Sequence, residues 1–104
     1  MTVQESIENR LRDELAPLHL EVINESDQHH VPPGSETHFK IVVVSDVFEG
    51  MRLLERHRRV NALLAAQLAG PVHALALHTY TGDEWRRRGE ESPDSPPCAG
   101  GGRS

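Results

Sequence analysis

Hydrophobic positions along this chain change period several times, and each change marks an element. Near the N-terminus Ile7, Leu11 and Leu15 recur every fourth residue, which sets them on one face of a helix. Thr2-x-x-Glu5 matches a capping box at its start, and Pro17 is expected to end it. Residues 19–25 then put Leu20 and Val22 on one side and Ile23 on the other, the alternation of a short strand with one better-buried face. Residues 26–37 hold two prolines and a glycine among polar neighbours and read as a loop. In residues 38–46, three consecutive valines follow Phe39 and Ile41; such near-continuous apolar character predicts the central strand of a sheet.

The second half of the chain repeats the alternation. Leu53, Val60, Leu64 and Leu68 fall at helical spacing within residues 52–69, predicting one main helix, and Gly70-Pro71 is its stop. Residues 72–80 form a third strand, parallel to the second because a helix separates them and the crossover is right-handed. Thr81-x-x-Glu84 is a second capping box, opening a short helix that contains Trp85. The expected fold class is α+β: an α-β-β-α-β-α domain over residues 1–88, with helices on one face of a three-stranded mixed sheet. Residues 89–104, rich in Ser, Pro and Gly and lacking apolar period, are expected to be a disordered tail.

Composition narrows this picture. A chain of 104 residues has room for one small domain, and with only 4% aromatics its core must be built mainly from Leu, Val, Ile and Ala. The formal net charge of -5 argues against a generally basic nucleic-acid coat, but the charge is uneven: residues 1–50 carry ten acids and three bases, whereas the rest carry eight arginines and six acids. A local basic patch at Arg52, Arg56, Arg58 and Arg59 is therefore open, beside the plainer reading of a solvated helix face. Neither a signal-peptide pattern nor an apolar run long enough for a bilayer is present, and the lone Cys98 has no disulfide partner in the chain. A soluble, cytoplasmic protein in a reducing compartment is the expectation.

Seven histidines against one cysteine supply borderline metal ligands without the thiolates for a complete cluster. His29 and His30 lie in the long loop, free to orient toward a metal, and His73 follows the Gly70-Pro71 turn. No CxxC, HExxH or zinc-finger array accompanies them, so solvent-facing histidines that bind no metal stay open as the alternative. His38 and His78 read as packed strand imidazoles, His57 as a helix residue among arginines, and His19 as the start of a strand. No nucleophile elbow or phosphate-binding glycine loop occurs, and Cys98 lies in the tail, so the chain is not expected to be an enzyme.

Four blocks carry a resemblance: GSETHFKIVVVSD, the following FEG, RHRRVNALLAAQL, and GPVHALALHTYT. Together, over about residues 3–88, they resemble the BolA family, in its histidine-type branch with a long loop before the second strand, and the tail's SPPC is similar to that branch too. The resemblance implies a fold like that of class II KH domains. It also implies partnership with a monothiol glutaredoxin, the two proteins sharing a 2Fe-2S cluster with glutathione in iron-sulfur trafficking or in iron and stress regulation. The implied ligands are His73 and His29, with His30 next to the latter as a substitute. Bacterial members that the chain resembles are transcriptional regulators of morphology and stress genes, which offers a second reading. In it Arg56, Arg58 and Arg59 of the main helix contact phosphates of promoter DNA, while the lack of any GxxG argues against RNA clamping of the KH kind. The free protein is expected to be a monomer or weak homodimer.

Overall fold

Thr2 caps α1 (Val3–Leu15) by accepting from the Glu5 N–H while the Glu5 carboxylate accepts from the Thr2 N–H, so the capping box forms as the sequence predicts. The computed structural model describes residues 2–26 and 35–91. Ala16, with φ 42°, turns the chain out of α1 one residue before Pro17, and its N–H returns to the Arg12 carbonyl. Strands β1 (His19–Asn24), β2 (His38–Val44) and β3 (Ala74–Tyr80) follow, with a short 3-10 turn at Asp46–Phe48 between β2 and the helices. β2 is central: β1 pairs with it antiparallel and β3 pairs parallel. The predicted α+β fold with a mixed three-stranded sheet therefore stands.

Strand alternation splits the sheet into two faces. Phe39, Ile41 and Val43 of β2 join Ile7, Leu11, Leu15, Val60 and Leu64 in the main core. Each of these side chains contributes about 1.5–3 kcal/mol through burial. Val42 and Val44 point the other way, where Trp85 of α4 (Gly82–Arg87) and Tyr80 cover them. This refines the expectation of helices on one face: α1 and the main helix share the core side, but α4 seats its indole on the opposite side. The continuous valine run in β2 is the cause, since a strand apolar on both faces needs cover on both.

The single main helix expected over residues 52–69 is two helices, α2 (Leu53–Leu63) and α3 (Ala65–Ala69). Leu64, at φ -103° and ψ 20°, breaks the helical path, yet its side chain is fully buried and its N–H still reaches the Val60 carbonyl. The sequence around it, Ala62-Leu63-Leu64-Ala65-Ala66, favours helix throughout. The break is therefore imposed by packing: it keeps Leu64 in the core while Leu68 packs against the same cluster from α3. Leu53, placed on the apolar face by spacing, is 60% exposed instead.

At the far end, Gly82 occupies a tight space. A Cβ there would lie 3.0 Å from Leu18 Cδ1 and 3.3 Å from Asp46 Oδ1, the atom that accepts from the Gly82 N–H. That close approach fixes the start of α4 against the 3-10 turn.

Candidate metal centre

His73 stands at the entrance to β3. Gly70 ends α3, Val72 plugs into the core at 2% exposure, and the Val72 N–H bonds back to the Gln67 carbonyl at 3.1 Å. On the other side the His73 N–H donates to the Thr37 carbonyl at 2.8 Å and the Ala74 N–H to the same oxygen at 3.3 Å. The backbone is thus held from both directions while the imidazole is exposed. It lines a groove of about 620 Å³ between the helices and the edge of β3, together with His57, Asn61, Leu68 and Leu75.

His38, read from sequence as a packed strand residue, is brought to His73: the ring centroids are 6.0 Å apart with planes at 76°. Its Nδ1 is 2.8 Å from Thr37 Oγ1. Ser26 Oγ, buried below, accepts from the N–H groups of Thr37 and His38 and, at a long 3.4 Å, faces the Thr37 hydroxyl. Sequence alone carried no signal for this pairing; it arises from the parallel register, which sets His38 opposite Ala74, the residue after His73. His29 and His30 lie outside the described residues, as does Cys98.

The other histidines have different surroundings. His57 is half-buried, and burial first, then the Arg56 charge, pushes its pKa down. His78 on β3 is likewise pushed down, by burial and then by Lys40, Arg88 and His57, with Glu25 opposing. The Nε2 atoms of both are buried with no hydrogen-bond partner among the described residues. His19 stacks on Trp85 with centroids 5.0 Å apart and bonds to Glu21 at 2.6 Å. Among the described residues, no three His, Cys, Asp or Glu side chains converge to hold a metal ion.

The basic helix divides sharply. Arg56, one of the three predicted phosphate contacts, is turned inward at 8% exposure. Its Nε donates to the Met51 carbonyl, and its Nη atoms reach the Thr79 carbonyl and both oxygens of Glu84 at 2.6 and 3.1 Å. A guanidinium so committed is not available to a phosphate, and this corrects the sequence reading of Arg56. Arg58 and Arg59 remain exposed on the same helix. Glu84 was legible only as a capping residue, which it is, accepting from the Thr81 N–H. Its second role, the ion pair with Arg56, holds its carboxyl down at about 2.

Known proteins resemble this chain closely. A DNA-binding transcriptional regulator BolA from Vibrio cholerae is 56% identical over 97% of this chain and 95% of its own length. The human BolA-like protein 1 is 50% identical over 97% of this chain and 73% of its own. The solution structure of BolA1 from Mus musculus superposes with a TM-score of 0.82 at 49% identity, covering 94% of this chain and 79% of that one. No helix among the described residues is long and apolar enough to cross a membrane. The family described as BolA-like protein matches residues 11–84, and the chain belongs to the BolA-like family.

Proposed function

We propose that this protein is the partner of a monothiol glutaredoxin and shares a 2Fe-2S cluster with it and with glutathione, acting in iron-sulfur trafficking or in iron and stress regulation. The observation that carries this reading is His73: an exposed imidazole on a backbone pinned from both sides, at the mouth of a groove beside a second histidine. The donor chemistry fits the group, since imidazoles can replace thiolates on one iron of such a cluster and raise its potential. His73 would be one ligand and His29, or His30 in its place, the other, with thiolates of the partner and glutathione on the remaining iron. The reading assigns no catalytic step to the chain.

The test mixes the protein with a monothiol glutaredoxin, glutathione, iron and sulfide and follows visible circular dichroism. The expected result is a spectrum distinct from that of glutaredoxin alone, altered by His73→Ala and by His29→Ala. Identical spectra for wild type, both variants and glutaredoxin alone would sink the reading.

A second reading, DNA binding, is favoured by the name of the Vibrio cholerae relative and by the exposure of Arg58 and Arg59. Here those two arginines contact phosphate, and each contributes to the salt dependence of binding. In gel-shift titrations on promoter DNA, Arg58→Ala and Arg59→Ala should each reduce the salt slope by about one. An unchanged slope in both variants rejects the second reading.

A further inference from the structure

We infer that the groove between the start of α2, the C-terminal end of β3 and α4 binds a small aliphatic carboxylate, with its head group inward and its chain outward. This site lies at the opposite end of β3 from His73 and uses neither Arg58 nor Arg59, so it stands apart from both readings above.

The groove encloses about 460 Å³, within the range of roughly 300–1,000 Å³ usual for small-molecule sites. Thr79 and Arg56, at 3% and 8% exposure, make its floor, while Leu53, Arg87 and Arg88 stand exposed at its rim. Glu84 is the only acid of the lining, and Arg56 neutralises it by reaching both carboxylate oxygens. The charges of Arg87 and Arg88 are therefore left over. Among the described residues Arg87 makes no hydrogen bond, and Arg88 commits only its Nε, to the Glu91 carbonyl, which leaves its Nη atoms for a ligand. Basic side chains in the last turn of α4 also offset that helix's dipole, but a helix of six residues accounts for little of this excess. Leu53 opens α2, whose positive dipole end adds to the same rim, and no side-chain hydrogen bond caps it.

The independent observation is at the floor. Thr79 Oγ1 is buried with no hydrogen-bond partner among the described residues. Buried hydroxyls are normally hydrogen-bonded. A carboxylate entering the groove supplies the acceptor that the fold does not, after a turn about the Thr79 Cα–Cβ bond, and the two arginines close on it from the rim. The rest of the ligand follows from what the walls offer. The Tyr80 ring already carries the Arg88 guanidinium, 5.2 Å from its centre, so an aromatic ligand gains no stacking face there. Leu53, 60% exposed, and the arginine stems remain, a surface that suits an aliphatic chain.

Octanoate, kept below its micellar concentration, is the probe, titrated into the full chain and followed by amide nuclear magnetic resonance. Acetate supplies the head group without the chain, and octanol the chain without the charge. Octanoate should saturate one site, shift the amides of Leu53, Thr79, Tyr80, Arg87 and Arg88, and bind at least about 10-fold more tightly than either comparator. The Arg87→Ala/Arg88→Ala double variant and Leu53→Asp should each weaken it by about 10-fold. Thr79→Val should weaken it too, while urea unfolding shows no loss of stability, because no hydrogen bond of the fold is removed. Absence of saturable shifts, shifts centred outside the groove, octanol binding as tightly as octanoate, or unchanged affinity in the arginine double variant overturns the site.

Discussion

At the N-terminal end of β3, His73 stands exposed beside His38 and is fixed, among the described residues, through main-chain bonds to Thr37 and the plug of Val72. At the C-terminal end the chemistry is inverted: the charged side chains are themselves the fastening. Arg56 ties α2 to the Met51 carbonyl, to β3 at Thr79 and to α4 at Glu84, with its guanidinium 5.8 Å from the Phe48 ring centre. One end of the strand turns its polar side chains inward, and the other leaves the His73 imidazole exposed. A run of basic or imidazole residues in sequence therefore cannot be assigned to a partner until the side-chain directions are known.

Arg56→Ala tests the fastened end most severely. It leaves the Glu84 carboxylate without its partner and frees the Thr79 carbonyl. Breaking a fully buried pair costs more, but Glu84 is 35% exposed, so the expected loss is about 2–3 kcal/mol in urea unfolding. An Arg56→Ala protein as stable as wild type would return this residue to the basic surface.

Glu84→Gln is gentler, because glutamine can still close the capping box at Thr81 while removing the charge; about 1 kcal/mol should be lost at neutral pH. The pH dependence gives a sharper signature. Glu84 is held at about 2 when folded, against 4.5 ordinarily, so its contribution is complete above 4.5 and disappears as pH falls toward 2. In acid titrations of stability, Glu84→Gln should flatten that part of the wild-type slope.

A smaller effect belongs to the half-buried rings. His57 faces the Arg56 charge, and His78 faces Lys40, Arg88 and His57 against Glu25; both are held neutral by burial below the ordinary 6.5. Unfolding lets them take protons, so stability is full above 6.5 and declines as pH drops below it toward their depressed folded values. His78→Gln should reduce this decline; an unchanged profile would show that burial of His78 has no such consequence. Smallest of all, His73→Ala should move stability by no more than about 0.5 kcal/mol, since its side chain is exposed. A large loss there would mean that the open end of β3 is structural after all.

Much of this contrast was readable before the fold. The periods of Ile7, Leu11 and Leu15, the two capping boxes and the valine run gave the helices, the central strand and its parallel neighbour, because burial and local hydrogen bonds act at short range. What escaped was tertiary. The break at Leu64 has no local cause, and the inward turn of Arg56 depends on Glu84, distant in sequence. His38 looked like core because its strand is apolar; only the parallel register with β3 sets it beside His73. The loop candidates His29 and His30 lie outside the described residues, so the ligand reading stands on His73.

The indole that closes the second face of the sheet is the chain's single tryptophan, flanked by the His19 ring at 5.0 Å and the Tyr80 ring at 5.3 Å. Its fluorescence is therefore an intrinsic optical gauge of one local event, the seating of α4, rather than an average over many emitters. Excited at long wavelength, it reports whether the fastened end of β3 opens before the main core melts, with no label added to the protein.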